Sequence, residues 1–260
     1  MPLEPKTIFP VQLVGAGPGA ADLLTLRAAR VIEGAQALLY DALVGEDILA
    51  LAPRACLKIQ TGKRAGRPSM RQETINRLMI RLARRGLRVV RLKGGDPSIF
   101  GRVGEEAQAL RQHGLTAEIV PGVTAACAAA AQFGLPLTHR GVARRVVMAT
   151  ATTQDGDLTM DWAAAADAEA TLAIYMGARA APVIARRLIA AGRSPHTPVA
   201  VVRNASAPSA QFQGMTLATL AAAHCLGLES GPALILVGEA LAASEAWSPG
   251  AETERLVGAA

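Results

Sequence analysis

The stretch Val89-Val90-Arg91-Leu92-Lys93-Gly94-Gly95-Asp96-Pro97-Ser98-Ile99-Phe100-Gly101-Arg102 decides the fold class. It opens with a short β-branched and aliphatic run, 89–92, and closes it with two glycines and an Asp-Pro pair. Such a run bounded by glycine reads as a strand. Two glycines at the carboxyl end of a strand let a ligand touch the backbone, and open α/β sheets bind ligands at that end. Pro97 biases Asp96 toward an extended conformation, which presents its carboxylate to an amine or a ribose. An ordinary strand-to-helix loop with an Asp cap uses the same residues.

Upstream of this strand, Ile75, Leu78, Met79, Leu82 and Ala83 recur at helical spacing, and Gly86 stops the pattern. Ser69 and Gln72 stand at capping-box spacing ahead of it. Thr25 is placed to cap another helix, running to Glu33 with Gly34 as its stop. Strand-like runs fall at 11–14, 37–40, 57–60, 89–92 and 117–120, and again at 146–150, 171–175, 198–202 and 233–237. This alternation with helical segments is an α/β signature. The boundary falls near Pro121-Gly122, giving an N-terminal α/β domain over 1–121 and a C-terminal one over 122–260. Residues 1–9, and those from about 244 onward, read as loose tails.

The 260 residues carry 27 Lys+Arg against 21 Asp+Glu, a net charge of +6. A basic surface suits nucleic acid, an acidic membrane or an anionic small substrate. Aromatic residues are only 3%, too few for the stacking platforms of a single-strand binder, which favours the anionic substrate. The arginines Arg81, Arg84, Arg85, Arg88 and Arg91 are what support the rival reading, a non-catalytic basic RNA-binding protein. No apolar run reaches the ~18 residues of a membrane span, and the N-terminus has no signal-peptide pattern. The three cysteines, Cys56, Cys127 and Cys225, are scattered. They fit reduced thiols in a cytoplasm and form no metal or disulfide framework. His113, His139, His196 and His224 are scattered too, so no metal is expected.

A second glycine loop, Gly15-Ala16-Gly17-Pro18-Gly19-Ala20, follows the first strand and satisfies G-x-G-x-x-A, with Asp41 about 20 residues on. A nicotinamide site is the naive reading. Against it, Pro18 removes a backbone N–H that should bind the pyrophosphate, and the helix begins late, at Thr25. A third loop, Gly62-Lys63-Arg64-Ala65-Gly66-Arg67-Pro68, is densely cationic. It suits an anion, but its spacing is not that of a P-loop.

Taken in order, these segments resemble the tetrapyrrole (corrin/porphyrin) methyltransferase family. The resemblance runs over about residues 11–241 and rests most on VVRLKGGDPSIFGR (89–102) and Gly134-Leu135-Pro136-Leu137-Thr138-His139-Arg140. Supporting segments are Tyr40-Asp41-Ala42-Leu43-Val44, Val120-Pro121-Gly122-Val123-Thr124-Ala125 and Tyr175-Met176-Gly177. The resemblance implies two α/β domains of the tetrapyrrole methylase type with S-adenosylmethionine in the cleft between them, in a homodimer. The implied reaction is methylation of uroporphyrinogen III at C2 and C7 to give precorrin-2, for sirohaem or cobalamin. A different precorrin methyltransferase of the same family is the alternative.

The resemblance also implies residue roles. Pro18, Gly94, Gly95, Asp96, Ile99, Thr124, Ala125, Met176 and Ala205 would contact the cofactor. Asp41 matches the proton acceptor and Lys63 the proton donor. Arg64, Arg67, Arg102 and Arg140, with His139, are candidates for the substrate carboxylates, because arginine binds carboxylate in a two-point fork. Glu105 is placed to orient Arg102. Ala205 stands where the family usually has glycine, and Thr150-Ala151-Thr152 where it commonly has Thr-Gly-His.

Overall fold

A computed structural model of the chain describes residues 7–62, 70–151, 160–223 and 231–254. The chain forms two compact units, Met1–Thr124 and Ala125–Ala260.

The first unit is a parallel sheet wrapped by helices. In chain order its elements are β1 (Val11–Gly15), α1 (Leu26–Glu33), β2 (Ala37–Tyr40), α2 (Glu46–Ala50), β3 (Leu57–Gln60), α3 (Gln72–Arg84), β4 (Val89–Lys93), α4 (Val103–Gln112) and β5 (Ala117–Val120). The strand order is β3-β2-β4-β1-β5, with all pairs parallel, so β4 is the central strand. Both faces are covered, as a parallel sheet requires. Val14, Leu38, Val90 and Leu92 pack with Ala28 and Ile32 of α1 and Ile48 of α2. Leu13, Leu39 and Val89 pack with Ile75, Met79 and Ala83 of α3 and Leu110 of α4.

Local chemistry sets the helix boundaries. Thr25 Oγ1 accepts the Ala28 N–H at 3.1 Å and caps α1, as its position in the sequence predicts. Helix α3 buries Ile75, Met79, Leu82 and Ala83 of the expected stripe, and Leu78 is partly buried against the same cluster. Ser69, expected to cap it, lies outside the described residues. The flanking residue is Arg71, which makes no side-chain cap.

The second unit contains α5 (Ala125–Phe133), β6 (Arg145–Thr150), α6 (Trp162–Ala165), β7 (Ala170–Tyr175), α7 (Ala181–Ala190), β8 (Pro198–Arg203), β9 (Gln211–Thr216), α8 (Leu217–Ala222), β10 (Ala233–Val237) and β11 (Glu252–Glu254). The order is β11-β9-β8-β10-β7-β6. Only β6 and β7 pair in parallel; the other neighbours are antiparallel. Two cores line this sheet. One holds Leu172, Ile174, Ile184, Leu188 and Ile235, the other Phe133, Phe212, Val202 and Leu236.

Strands β9 and β11 are absent from the sequence expectation, and the supposed loose tail is corrected here. From residue 244 to 254 the chain is tied to the sheet. Trp247 Nε1 donates to the Val199 carbonyl at 2.9 Å, Gly214 N to Ala251 O at 2.8 Å, and Gly250 N to Gly214 O at 2.9 Å. β11 then pairs with β9. A short, charged edge strand (Glu-Thr-Glu) carries no apolar alternation, so pattern alone does not reveal it. Among the described residues, no helix is long and apolar enough to cross a membrane.

Candidate functional site

The carboxyl ends of β1, β4 and β5 meet backbone to backbone. A Cβ added to Gly122 would stand 2.3 Å from Gly95 O and 2.9 Å from Gly15 Cα. One added to Gly15 would stand 2.7 Å from Gly122 Cα and Gly95 O. Only glycine permits this approach. Gly17 and Gly95, both left-handed with φ +69°, exchange hydrogen bonds: Gly95 N to Gly17 O at 2.7 Å and Gly17 N to Gly95 O at 3.2 Å. Asp96 then ties the β4 loop to the β5 loop, because its Oδ2 accepts the Gly122 N–H at 2.9 Å and its Oδ1 the Ser98 N–H at 2.8 Å.

Beside this junction the backbone is open. A Cβ on Gly94 would meet nothing nearer than Leu43 Cβ at 3.5 Å, and one on Gly95 nothing nearer than Thr124 Cα at 4.0 Å. Leu43 itself is an exposed apolar side chain. Thus Pro18 (through its neighbour Gly17), Gly94, Gly95, Asp96 and Thr124 gather at one place, with Ile99 in the turn that follows Asp96.

Among the described residues, five non-glycine residues have positive φ: Phe100, Arg102, Met176, Asn204 and Ser206. All lie in loops that follow strand ends, after β4, β7 and β8. Left-handed backbone costs about 1–2 kcal/mol per residue, and such strain concentrates at ligand sites. Met176 combines φ +55° with an exposed side chain, and Ala205 sits between the two strained residues of its turn. Both belong to the second unit. So does Ala125, which opens α5.

The proposed acid–base residue Asp41 immediately follows β2 and belongs to a network absent from the sequence expectation. Arg91 Nη2 donates to Asp41 Oδ1 at 2.5 Å, Arg91 Nη1 to Thr61 Oγ1 at 3.0 Å, and Arg91 Nε to Glu106 Oε1 at 3.1 Å. Lys93 Nζ donates to the same Glu106 oxygen at 3.1 Å and lies 3.0 Å from Oε2. Glu106 is 0% exposed, and Arg91 and Lys93 are 3% exposed. Burial pushes the Lys93 ammonium below the ordinary lysine range, reinforced by the charge of Arg91; Glu106 and Asp41 offset this only in part.

Arg91 is therefore a buried residue of the sheet, and its place in the exposed cationic patch of the RNA-binding reading is corrected; Arg81, Arg84, Arg85 and Arg88 are exposed. The overlooked signal is the strand alternation. Arg91 and Lys93 share a face with Val89, toward α3 and α4. Two cations on a covered face require a buried anion, and Glu106 supplies it.

Arg102 and Glu105 form an exposed two-point ion pair, Nε to Oε1 at 2.8 Å and Nη2 to Oε2 at 2.7 Å. The hydrogen bond from Arg102 holds the Glu105 carboxyl below the ordinary carboxylate range. Lys63, Arg64 and Arg67 lie outside the described residues. His139 exchanges backbone hydrogen bonds with Ala143, and both His139 and Arg140 have exposed side chains. Among the described residues no group of three or more His, Cys, Asp or Glu has the proximity to hold a metal ion.

The junction lies at the carboxyl ends of a parallel sheet, the end at which α/β proteins of the open-sheet class bind their ligands. A family model of tetrapyrrole (corrin/porphyrin) methylases matches residues 10–221. The siroheme synthase of Azotobacter vinelandii (strain DJ / ATCC BAA-1303) is 45% identical over 251 residues, covering 96% of this chain and 54% of that protein. Siroheme synthase 1 of Pectobacterium atrosepticum is 50% identical over 230 residues, covering 88% and 47%. The chain thus spans about half the length of the curated relatives it matches.

Among solved structures, native uroporphyrin III C-methyltransferase from Thermus thermophilus has a TM-score of 0.76 and 39% identity, over 90% of this chain and 94% of that one. The same enzyme complexed with S-adenosyl homocysteine has a TM-score of 0.75 and 40% identity, over 89% and 93%. A cobalt precorrin-4 methyltransferase of cobalamin biosynthesis has a TM-score of 0.79 and 31% identity, over 89% and 95%. The chain belongs to the tetrapyrrole methylase family, whose methyl donor is S-adenosylmethionine.

Proposed function

We propose that the chain is an S-adenosylmethionine-dependent C-methyltransferase that converts uroporphyrinogen III to precorrin-2 by methylation at C2 and C7. The observation that carries this reading is the likeness, near 40% identity over nine-tenths of both chains, to the uroporphyrin III C-methyltransferase of Thermus thermophilus. The names of the siroheme synthase relatives support a product used for sirohaem.

The residues present fit the cofactor. The open backbone at Gly94 and Gly95 leaves room for it, and Asp96 retains acceptor lone pairs beyond its two amide bonds, enough for a ribose hydroxyl or an ammonium. Pro18, Gly94, Gly95, Asp96, Ile99 and Thr124 would hold it in the first unit, and Ala125, Met176 and Ala205 are assigned to it in the second. When bound, this cofactor supplies an electrophilic methyl on a sulfonium, so the chain's residues need only hold, align and deprotonate. Alignment of donor and acceptor is worth roughly 7–11 kcal/mol of the barrier.

Methylation makes a fully substituted pyrrole carbon quaternary and leaves the macrocycle one positive charge richer, so a proton must leave elsewhere on the macrocycle, and Asp41 is the proposed acceptor. Among the described residues its Oδ1 is engaged and its Oδ2 is not, and the side chain is 32% exposed. Lys63 is the proposed donor. Arg102, paired with Glu105, with Arg64, Arg67, Arg140 and His139, would bind the substrate's carboxylates. A homodimer is the proposed assembly.

Mass spectrometry of the product formed anaerobically from uroporphyrinogen III and S-adenosylmethionine tests this reading. Gain of two methyl groups supports it. An untouched ring sinks it and favours a later precorrin methyltransferase, the second reading that the 0.79 TM-score to the cobalt precorrin-4 enzyme keeps in view.

A further inference from the structure

We infer that Arg91 is a positioning residue for the reaction: it clamps one oxygen of Asp41 so that the other is presented to the ring, with Glu106 as the buried anchor that fixes the clamp. This rests on the reading of Asp41 as proton acceptor.

The geometry is that of a built device. Arg91 lies on the central strand and its guanidinium is held on three sides, by Glu106 at Nε, by Thr61 Oγ1 and the Leu92 carbonyl at Nη1, and by Asp41 at Nη2. A planar fork fixed at three corners has one orientation left, and it passes that orientation to the Asp41 carboxylate. Glu106 cannot swing. It is fully buried, and its Oε1 accepts from Arg91, Lys93 and Gln72 Nε2, the last at 3.1 Å. Thr61 closes the ring, since its Oγ1 accepts from Arg91 and lies 3.3 Å from Asp41 Oδ1 and 3.0 Å from Tyr40 O.

Stability alone does not account for the arrangement. A buried ion network is often no better for stability than an apolar core of the same volume, and this one sits under a half-exposed carboxylate rather than sealed in the core. It also shares a strand with the ligand loop: Lys93, the second buried cation, immediately precedes Gly94-Gly95. The network thus connects the proposed proton acceptor to the proposed cofactor loop through one glutamate.

The test is a double-mutant cycle on turnover of uroporphyrinogen III, with Asp41→Asn, Arg91→Gln and the pair, and the same cycle with Thr61→Val. S-adenosylhomocysteine affinity by calorimetry serves as a readout independent of activity. A carboxylate displaced by an ångström costs on the order of 100-fold in rate, so Arg91→Gln should lower kcat by about that factor. KM and cofactor affinity should stay within about threefold, and the double variant should be no slower than Asp41→Asn alone. Arg91→Lys, which restores charge without the fork, should recover only part of the loss.

An equal loss from Arg91→Gln in the Asp41→Asn background overturns the inference while leaving Asp41 as acceptor. Wild-type turnover in Asp41→Asn removes the acceptor role and the clamp with it. Should Arg91→Gln fail to fold, the Thr61→Val cycle decides: a loss that vanishes with Asp41→Asn supports the clamp, and an unchanged or additive kcat overturns it.

Discussion

Gly122→Ala is the substitution for which the site geometry makes its sharpest demand. The new methyl would stand 2.3 Å from Gly95 O, 2.9 Å from Gly15 Cα and 3.0 Å from Gly15 C, all of them backbone atoms at strand ends. Normal carbon contacts begin near ~3.5 Å, so the three loops must separate by roughly 1 Å. Overpacking of this kind costs about 1–3 kcal/mol. Separation also strains the Gly122 N–H bond to Asp96, a charge-assisted bond worth about 1.5–3 kcal/mol. Urea unfolding should therefore show a loss of about 2–5 kcal/mol, the sum of parts of both effects. S-adenosylhomocysteine affinity should fall at least tenfold in the molecules that remain folded, because Asp96 and Gly95 have moved. Gly104→Ala in α4 is the control: nothing lies within 4 Å of its added Cβ, and it should gain about 0.5–1 kcal/mol from helix propensity. Gly122→Ala with wild-type stability and affinity would refute the claim that these three strand ends are packed backbone on backbone.

Further outcomes follow from other parts of the molecule. Glu106→Gln leaves Arg91 and Lys93 short of their buried counter-charge and should cost about 3–5 kcal/mol by urea titration. Lys93, with its folded pKa lowered below 10.5, is a group the unfolded chain protonates more readily. Its burden on stability is full below the folded pKa and is relieved as pH rises toward 10.5, so stability should climb across that alkaline window, and less so in Lys93→Gln. Arg102→Ala breaks an exposed pair worth only about 0–1 kcal/mol, yet turnover should fall far more than that, because the proposed role is substrate binding; unchanged kcat/KM would remove Arg102 from the site. Deleting residues 244–260 removes Trp247 and the β11 edge, and should lower the melting temperature by several degrees rather than leave it unchanged, as loss of a loose tail would.

The sequence made the first unit legible almost strand by strand, because buried parallel strands are short apolar runs punctuated by glycine. The glycine loops after β1 and β4 were legible for the same reason, since Gly15 and Gly95 stand where backbones approach closely, whereas Gly122 read as a domain boundary and its packing against both appears only in the structure. What stayed hidden depends on partners distant in sequence. Arg91 looked like one more arginine in a basic segment until β4 was placed at the centre of the sheet and Glu106 beneath it. Asp96 was expected to present its carboxylate outward, and its bonds to Ser98 and Gly122 also make it the tie between two loops. β9 and β11 escaped because Gln211-Phe212-Gln213-Gly214 and Glu252-Thr253-Glu254 offer too little apolar alternation; pairing with β8 and with each other, rather than composition, makes them strands.

The open backbone at the carboxyl end of β4 is tested most directly by Gly94→Ala. The added methyl meets only Leu43 Cβ at 3.5 Å, an ordinary contact, so the free protein should unfold at the same urea concentration as wild type. Titration calorimetry with S-adenosylhomocysteine should show saturable binding to wild type and at least a tenfold loss in the variant, because the methyl fills space the ligand uses. Equal binding by both proteins, or no binding by wild type, would contradict the account.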